Sequence, residues 1–141
     1  MRQLGIDAEP LIQAPWIAHV EQRFQRQLPP LYRSLVLGFS FFACEFGNVE
    51  LFGNTGDDDD DDLTVAPFRD AHLSSWLIAH GYIHFGRSAS GSYDPICFDY
   101  SGAVHLEPPV IQLDHEGILL NREKVTKCTV AGNFAILVGL T

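Results

Sequence analysis

Six histidines, three cysteines and eighteen acidic residues are the raw material from which this chain would build a reactive site. His80 and His84 stand four apart, the spacing at which two imidazoles share a helix face and one metal ion. The zinc-protease arrangement needs a Glu after the first His, and Gly81 stands there instead, where it also interrupts a helix. On a strand the pair keeps one face but lies about 13 Å apart along it, too far for a single ion. Ordinary surface or core histidines are the expectation. Asp114-His115-Glu116 has the residue types of an acid–base cluster. Neighbours on a strand point to opposite faces, so only Asp114 and Glu116 are expected to converge, and a polar strand end before Gly117 is the simpler reading.

The other candidates are thinner. Ser88, Ser90 and Ser92 alternate with small residues but lack the P-loop lysine and the dinucleotide glycine pattern, so they read as a flexible turn. Cys44 lies among Phe41, Phe42 and Phe46 with no local nucleophile signature, as expected of a buried, inert thiol. The run Asp57, Asp58, Asp59, Asp60, Asp61, Asp62 has carboxylates enough for calcium. A calcium loop spaces its ligands, turns on a glycine and ends in Glu, and an unbroken run does none of these. No metal, no cofactor and no catalytic set is therefore expected.

The elements that would position such groups belong to one domain. A chain of 141 residues buries roughly 70% of its unfolded surface without disulfide or metal staples. Apolar residues are 46% and charged residues 19% of the total, and ten Phe, four Tyr and two Trp supply bulk for a core. The formal charge of −9 is concentrated: six of the eighteen acids sit in Asp57–Asp62. Nucleic acid is an unsuitable direct partner because phosphate contacts need a basic face. Cys44, Cys97 and Cys128 are few, odd in number and without a C-x-x-C pair, which argues against a zinc ribbon or redox motif. Residues 1–20 do not read as a signal peptide, and there is no apolar run long enough to span a membrane. Together with free thiols this gives a cytoplasmic expectation.

Ile17, Val20, Phe24 and Leu28 repeat at helical spacing after Pro15, leaving Glu21, Gln22, Arg23, Gln25 and Arg26 to face water. Leu28-Pro29-Pro30 breaks this helix, and Pro30 opens a second one with Leu31, Leu35 and Val36 inward. Gly38 is expected to end it in a left-handed conformation. A short strand or irregular segment over 39–46, a Gly47-Asn48 turn and a strand near 49–52 follow. Residues 53–63 read as a mobile acidic loop that buries nothing. A helix over 68–79 ends at Gly81, and Tyr82–Phe85 reads as a strand. Gly86–Ser92 reads as a turn, then Tyr93–Tyr100 as a strand with Pro95 at an edge or a bulge. Val110–Leu113 is the next strand, with Ile118–Asn121 pairing back as a hairpin, and Val130–Leu140 reads as a helix. The sum is an α+β domain, a central antiparallel or mixed sheet with helices on one side.

Several of these pieces together resemble the SUKH superfamily, which contains fungal cell-wall-synthesis regulators and bacterial immunity proteins. The residues are the helix ending in Phe24-Gln25-Arg26-Gln27-Leu28-Pro29-Pro30-Leu31-Tyr32, the strand Val49–Phe52, and Leu77-Ile78-Ala79-His80-Gly81 before Tyr82–Gly86. Tyr93–Tyr100, Pro109–Glu116 and the tail with Phe134 complete the match over about residues 17–140. Pro30 and Leu31 replace the acid usual between Leu28 and Tyr32, and the Asp run is peculiar to this chain.

The resemblance implies a SUKH-like fold and a non-catalytic protein that binds a protein partner, as an immunity protein binds and neutralises a toxin, often a nuclease. The expected contact residues are Asp57–Asp62, which would speed capture of a basic partner, with Tyr93 and Asp94. The competing reading is a small enzyme or ligand-binding protein using His80, His84, Asp94, Asp99 or Asp114, for which a deep pocket lined by at least three of them would speak. A regulatory scaffold, as in the fungal relatives, is the third.

Overall fold

The computed structural model describes residues 8–10, 15–56, 60–102 and 106–140. Two helices lead the domain, α1 (Pro15–Phe24) and α2 (Pro30–Gly38), preceded by a short strand β1 (Ala8–Pro10) that pairs antiparallel with β2 (Phe39–Phe41). A six-stranded antiparallel sheet follows in the order β3 (Cys44–Phe46), β4 (Val49–Leu51), β5 (Tyr82–Ser88), β6 (Pro95–Asp99), β7 (Val110–Leu113), β8 (Lys127–Ala131). Helix α3 (Ala71–Ala79) connects β4 to β5 after a 3₁₀ turn at Ala66–Phe68, α4 (His115–Leu119) connects β7 to β8, and α5 (Phe134–Leu137) ends the fold. The α+β class and the antiparallel sheet are as the sequence predicts.

The helices, however, lie on both faces of the sheet, not on one. Ile83, Phe85, Ile96, Phe98 and Val110 pack with α1, α2 and α5, whereas Tyr82, Cys97, Ile111 and Leu113 pack with Leu77 of α3 and Ile118 of α4. Alternate side chains of a strand face opposite ways, so β5 and β6 are buried on both sides. Tyr32 of α2 sits at the centre of the larger cluster, its ring 5.2–5.3 Å from those of Phe85, Phe98 and Phe134 in edge contacts, while Phe85 stacks on Phe98 at 3.9 Å.

The proline corner between α1 and α2 is held by a residue expected in water. Glu21 is buried, accepts a hydrogen bond from the Leu28 amide at 2.8 Å and pairs with Arg33 at 3.0 Å. Its carboxylate thus satisfies a backbone donor left free where Pro29 and Pro30 break the helix. Gly38 ends α2 without a left-handed twist, the chain passing directly into the extended Phe39. Gly86 is a strand residue, not part of a turn: β5 runs on to Ser88, with a bulge between His84 and Gly86. A Cβ at Gly86 would lie 2.6 Å from the Glu50 carbonyl oxygen, so this close strand approach requires glycine. Pro95 is at neither an edge nor the bulge. It is the first residue of β6, an interior strand, where a missing N–H is tolerated. Ile118–Asn121 does not return as a strand; that role falls to β8, and the predicted C-terminal helix is divided between β8 and α5, which Asn133 caps through the Ile136 amide at 2.9 Å.

The acidic segment is the largest departure from expectation. Gly53, Asn54, Asp62 and Leu63 are buried, contrary to a loop that buries nothing. Gly53 and Asp62 form a parallel bridge, with Gly53 N donating to Asp61 O at 2.9 Å and Leu63 N to Gly53 O at 2.8 Å. The Asn54 side chain accepts from Phe41 N at 2.8 Å and donates to Val36 O at 3.1 Å and Phe39 O at 2.6 Å. It ties the loop base to the α2–β2 junction.

Two predictions follow from this packing. Asn54→Ala leaves a buried amide and two carbonyls without partners and should cost about 3 kcal/mol in urea unfolding. An unchanged midpoint would remove Asn54 from the framework. His84 is buried against Phe52 with neither ring nitrogen bonded among the described residues. Burial outweighs an opposing pull from the Gly86 backbone and, with a smaller push from the Arg87 charge, lowers its pKa from 6.5 to about 4. The unfolded chain therefore binds this proton below 6.5 and the folded chain only near 4. Stability is full above 6.5 and falls as the pH drops through that window, by up to about 3 kcal/mol. His84→Leu should flatten this slope; an identical slope in both proteins would contradict the assignment.

Candidate functional site

Antiparallel register builds the most chemically dense part of the surface. Ile96 of β6 pairs with Gln112 of β7, so extending the ladder by two residues brings Asp94 beside Asp114. The strand β7 ends at Leu113, and the chain turns at once into α4. That change of direction is why Asp114 and His115 converge, where a continuous strand would have matched Asp114 with Glu116. The expected pairing is thereby corrected: Glu116 is exposed on α4. His115 Nδ1 lies 2.6 Å from Asp94 Oδ1, which also accepts from the His115 amide at 3.1 Å, and Gln112 Nε2 donates to Asp94 Oδ2 at 3.2 Å. Burial pushes the Asp94 pKa up, but these hydrogen bonds outweigh it and hold the carboxyl below its ordinary range.

One ligand atom from each of Asp94, Asp114 and His115 lies within 4.8 Å of the others, so this trio is the set that could hold a metal ion among the described residues. Asp94 and Asp114 also line an open depression of about 280 Å³ whose far wall includes Thr126 and Cys128. Of the five residues named for an enzyme or ligand pocket, the structure gathers these two here and separates the rest. His80 caps α3, its Nδ1–H donating to Trp76 O at 2.7 Å with the rings stacked at 3.9 Å. His84 is inside the sheet. Asp99 pairs with Lys127 at 3.0 Å and accepts from Ser101. Burial raises its pKa, and the Ser101 and Lys127 bonds more than reverse this.

Tyr93, next to Asp94, is 68% exposed and has φ of 60°, in the left-handed region where a bulky side chain is strained. Its ring therefore stands out from the end of the β5–β6 hairpin while Asp94 is tied down behind it. The three serines belong to this hairpin, with the Ser88 and Ser90 hydroxyls 2.7 Å apart. Cys44 is half-buried on β3 and its thiol pKa is raised by burial, as expected of an unreactive group.

The acidic run has divided roles. Asp57, Asp58 and Asp59 lie outside the described residues. Asp60 is exposed and pairs with Arg69 at 3.3 Å. Asp61 meets Arg87 at 2.7 Å, and Arg87 also binds Glu50, its cross-strand neighbour. Asp62 is structural: one carboxylate oxygen accepts from the amide and hydroxyl of Thr55 (2.8 and 3.1 Å), the other from those of Thr64 (3.1 and 2.7 Å). Sequence reasoning missed the Asp62 anchor, the His115 partnership and the Gln112 support. The Thr residues flanking the run were the available signal for the first; nothing local to residue 94 announces a partner at 115.

No helix among the described residues is long and apolar enough to cross a membrane. No curated protein and no solved structure matches the chain. The model of the SMI1 / KNR4 family (SUKH-1) matches residues 13–136, which takes in every element from α1 to the third residue of α5. The chain belongs to the SMI1 / KNR4 family (SUKH-1).

Proposed function

We propose that this chain is a non-catalytic binding protein that neutralises a bacterial toxin, a nuclease in the sharper form of the reading, by covering it. The observation that carries the proposal is family membership over residues 13–136, since the bacterial members of the superfamily include immunity proteins. The arrangement of polar groups supports it. Buried Glu21, Asp62 and Asp99 are tied into the framework by hydrogen bonds. Tyr93 offers a large amphipathic ring at an exposed hairpin end, the kind of side chain that anchors protein interfaces. Asp57–Asp60 supply negative charge for a basic partner, of the kind a nuclease cleft presents, and such charge acts mainly on the rate of encounter. A regulatory scaffold in the manner of the fungal relatives uses the same surface without an inhibited enzyme. A cytoplasmic setting, suggested by three free cysteines, fits either.

The test is capture of toxins encoded beside the gene, followed by rapid-mixing kinetics. Replacing Asp57, Asp58, Asp59 and Asp60 together by Asn, with Asp61 and Asp62 kept for the framework, should slow association several-fold at low salt and flatten its salt dependence. Dissociation and thermal stability should change little. Tyr93→Ala should instead speed dissociation, by tenfold or more. Failure to bind any neighbouring toxin, with turnover of a small molecule, would reject the binding role; unchanged salt dependence would reject steering alone.

A further inference from the structure

We propose that Asp94, Asp114 and His115 form a zinc-binding site at the junction of the β5–β6 hairpin and α4. The proposal stands apart from the partner-binding reading. Two carboxylate oxygens and one imidazole nitrogen within 4.8 Å of one another make a mixed N/O donor set, of a kind that suits zinc and its borderline neighbours more than calcium or magnesium. Ligands at about 2.1 Å from a tetrahedral ion stand roughly 3.4 Å apart. The trio needs only small rotations to reach that shape, with the 2.6 Å Asp94–His115 contact opening by somewhat under 1 Å.

Three further observations favour the ion. Asp114 occupies the N-cap position of α4, yet its side chain accepts no hydrogen bond from that helix, so its carboxylate is not spent on capping. Its ion pair is a loose one, with Arg122 at 3.5 Å across an exposed edge. Asp94, by contrast, is fixed by Gln112 and the His115 amide, outer contacts of the type that orient metal ligands. The 280 Å³ depression lined by both carboxylates gives an entry path from solvent and room for the remaining coordination positions. Residues 94 and 114–115 are twenty apart, which is why ligand spacing along the sequence gave no metal motif.

The experiment titrates tag-free, chelator-treated and reduced protein with Zn²⁺ by calorimetry, and with Co²⁺ by visible absorption. One equivalent of Zn²⁺ should bind saturably, and Co²⁺ should give the intense visible bands of a four-coordinate site. Asp114→Asn and His115→Gln should each weaken Zn²⁺ binding at least tenfold while circular dichroism stays native. Cys128→Ser is the control, because an exposed thiol on the same depression binds zinc by itself; it should bind as the unaltered protein does. The site is overturned by no saturable uptake at millimolar Zn²⁺. It is equally overturned by undiminished binding in both folded variants, or by loss of binding in Cys128→Ser.

Discussion

Burial of β5 and β6 on both faces is the constraint from which the rest of this molecule follows. A strand covered on one side can present alternate residues to solvent; these two cannot. Every residue of β6 is buried, and every residue of β5 except Arg87. Backbone groups there are satisfied by pairing with each other and with β4 and β7, so the sheet itself meets the hydrogen-bonding demand. What it leaves no room for is an ionisable side chain in the middle of the domain. Arg87 leaves at the end of β5 to meet Glu50 and Asp61, and Asp99 sits at the last position of β6 where Ser101 and Lys127 reach it. The titratable side chains that do lie there stay neutral, burial pushing the His84 pKa down and that of Cys97 up.

Polar chemistry is accordingly displaced to strand ends, and the topology decides which ends meet. The β6–β7 register places Asp94 against Asp114, and the immediate turn into α4 adds His115. At the opposite side of the β5–β6 pair, β4 and the segment after it use Asn54 and Asp62 as side-chain substitutes for backbone pairing. Both residues are buried with their hydrogen-bonding groups occupied, which is the condition under which a buried polar group adds rigidity and no net penalty.

Much of the fold is legible because it rests on short-range rules. Ile17, Val20 and Phe24 announce α1, the prolines at 15 and 30 mark the helix starts, and Gly47-Asn48 marks the β3–β4 turn. Misreadings arise where a distant contact outweighs local preference. Gly86 looks like a turn residue until the Glu50 carbonyl occupies the place of its missing side chain. Glu21 looks like a solvated helix residue until the proline corner needs an acceptor. Ile118–Asn121 has strand-like composition, but the burial of Ile118 against α3 and the sheet favours a helical turn. The candidate site is less legible than the fold, because its parts come from segments twenty residues apart and no local pattern carries a register.

The acidic run shows why a formal charge is a poor guide to a field. Six adjacent aspartates suggest a uniform negative loop, yet Asp62 is buried and held by Thr55 and Thr64, Asp61 shares Arg87 with Glu50, and Asp60 is partly offset by Arg69. An ion pair held at 2.7 Å acts on a distant molecule as a dipole, and its effect falls off faster than that of a bare charge; salt then screens what is left over roughly 8–10 Å. The long-range attraction of the described members, Asp60–Asp62, is therefore smaller than that of three bare charges. Asp61 and Asp62 do something different: they secure the segment to Arg87 of β5 and to Thr55 and Thr64. Within the described part of the run, Asp61 and Asp62 thus hold the structure while Asp60 stays exposed.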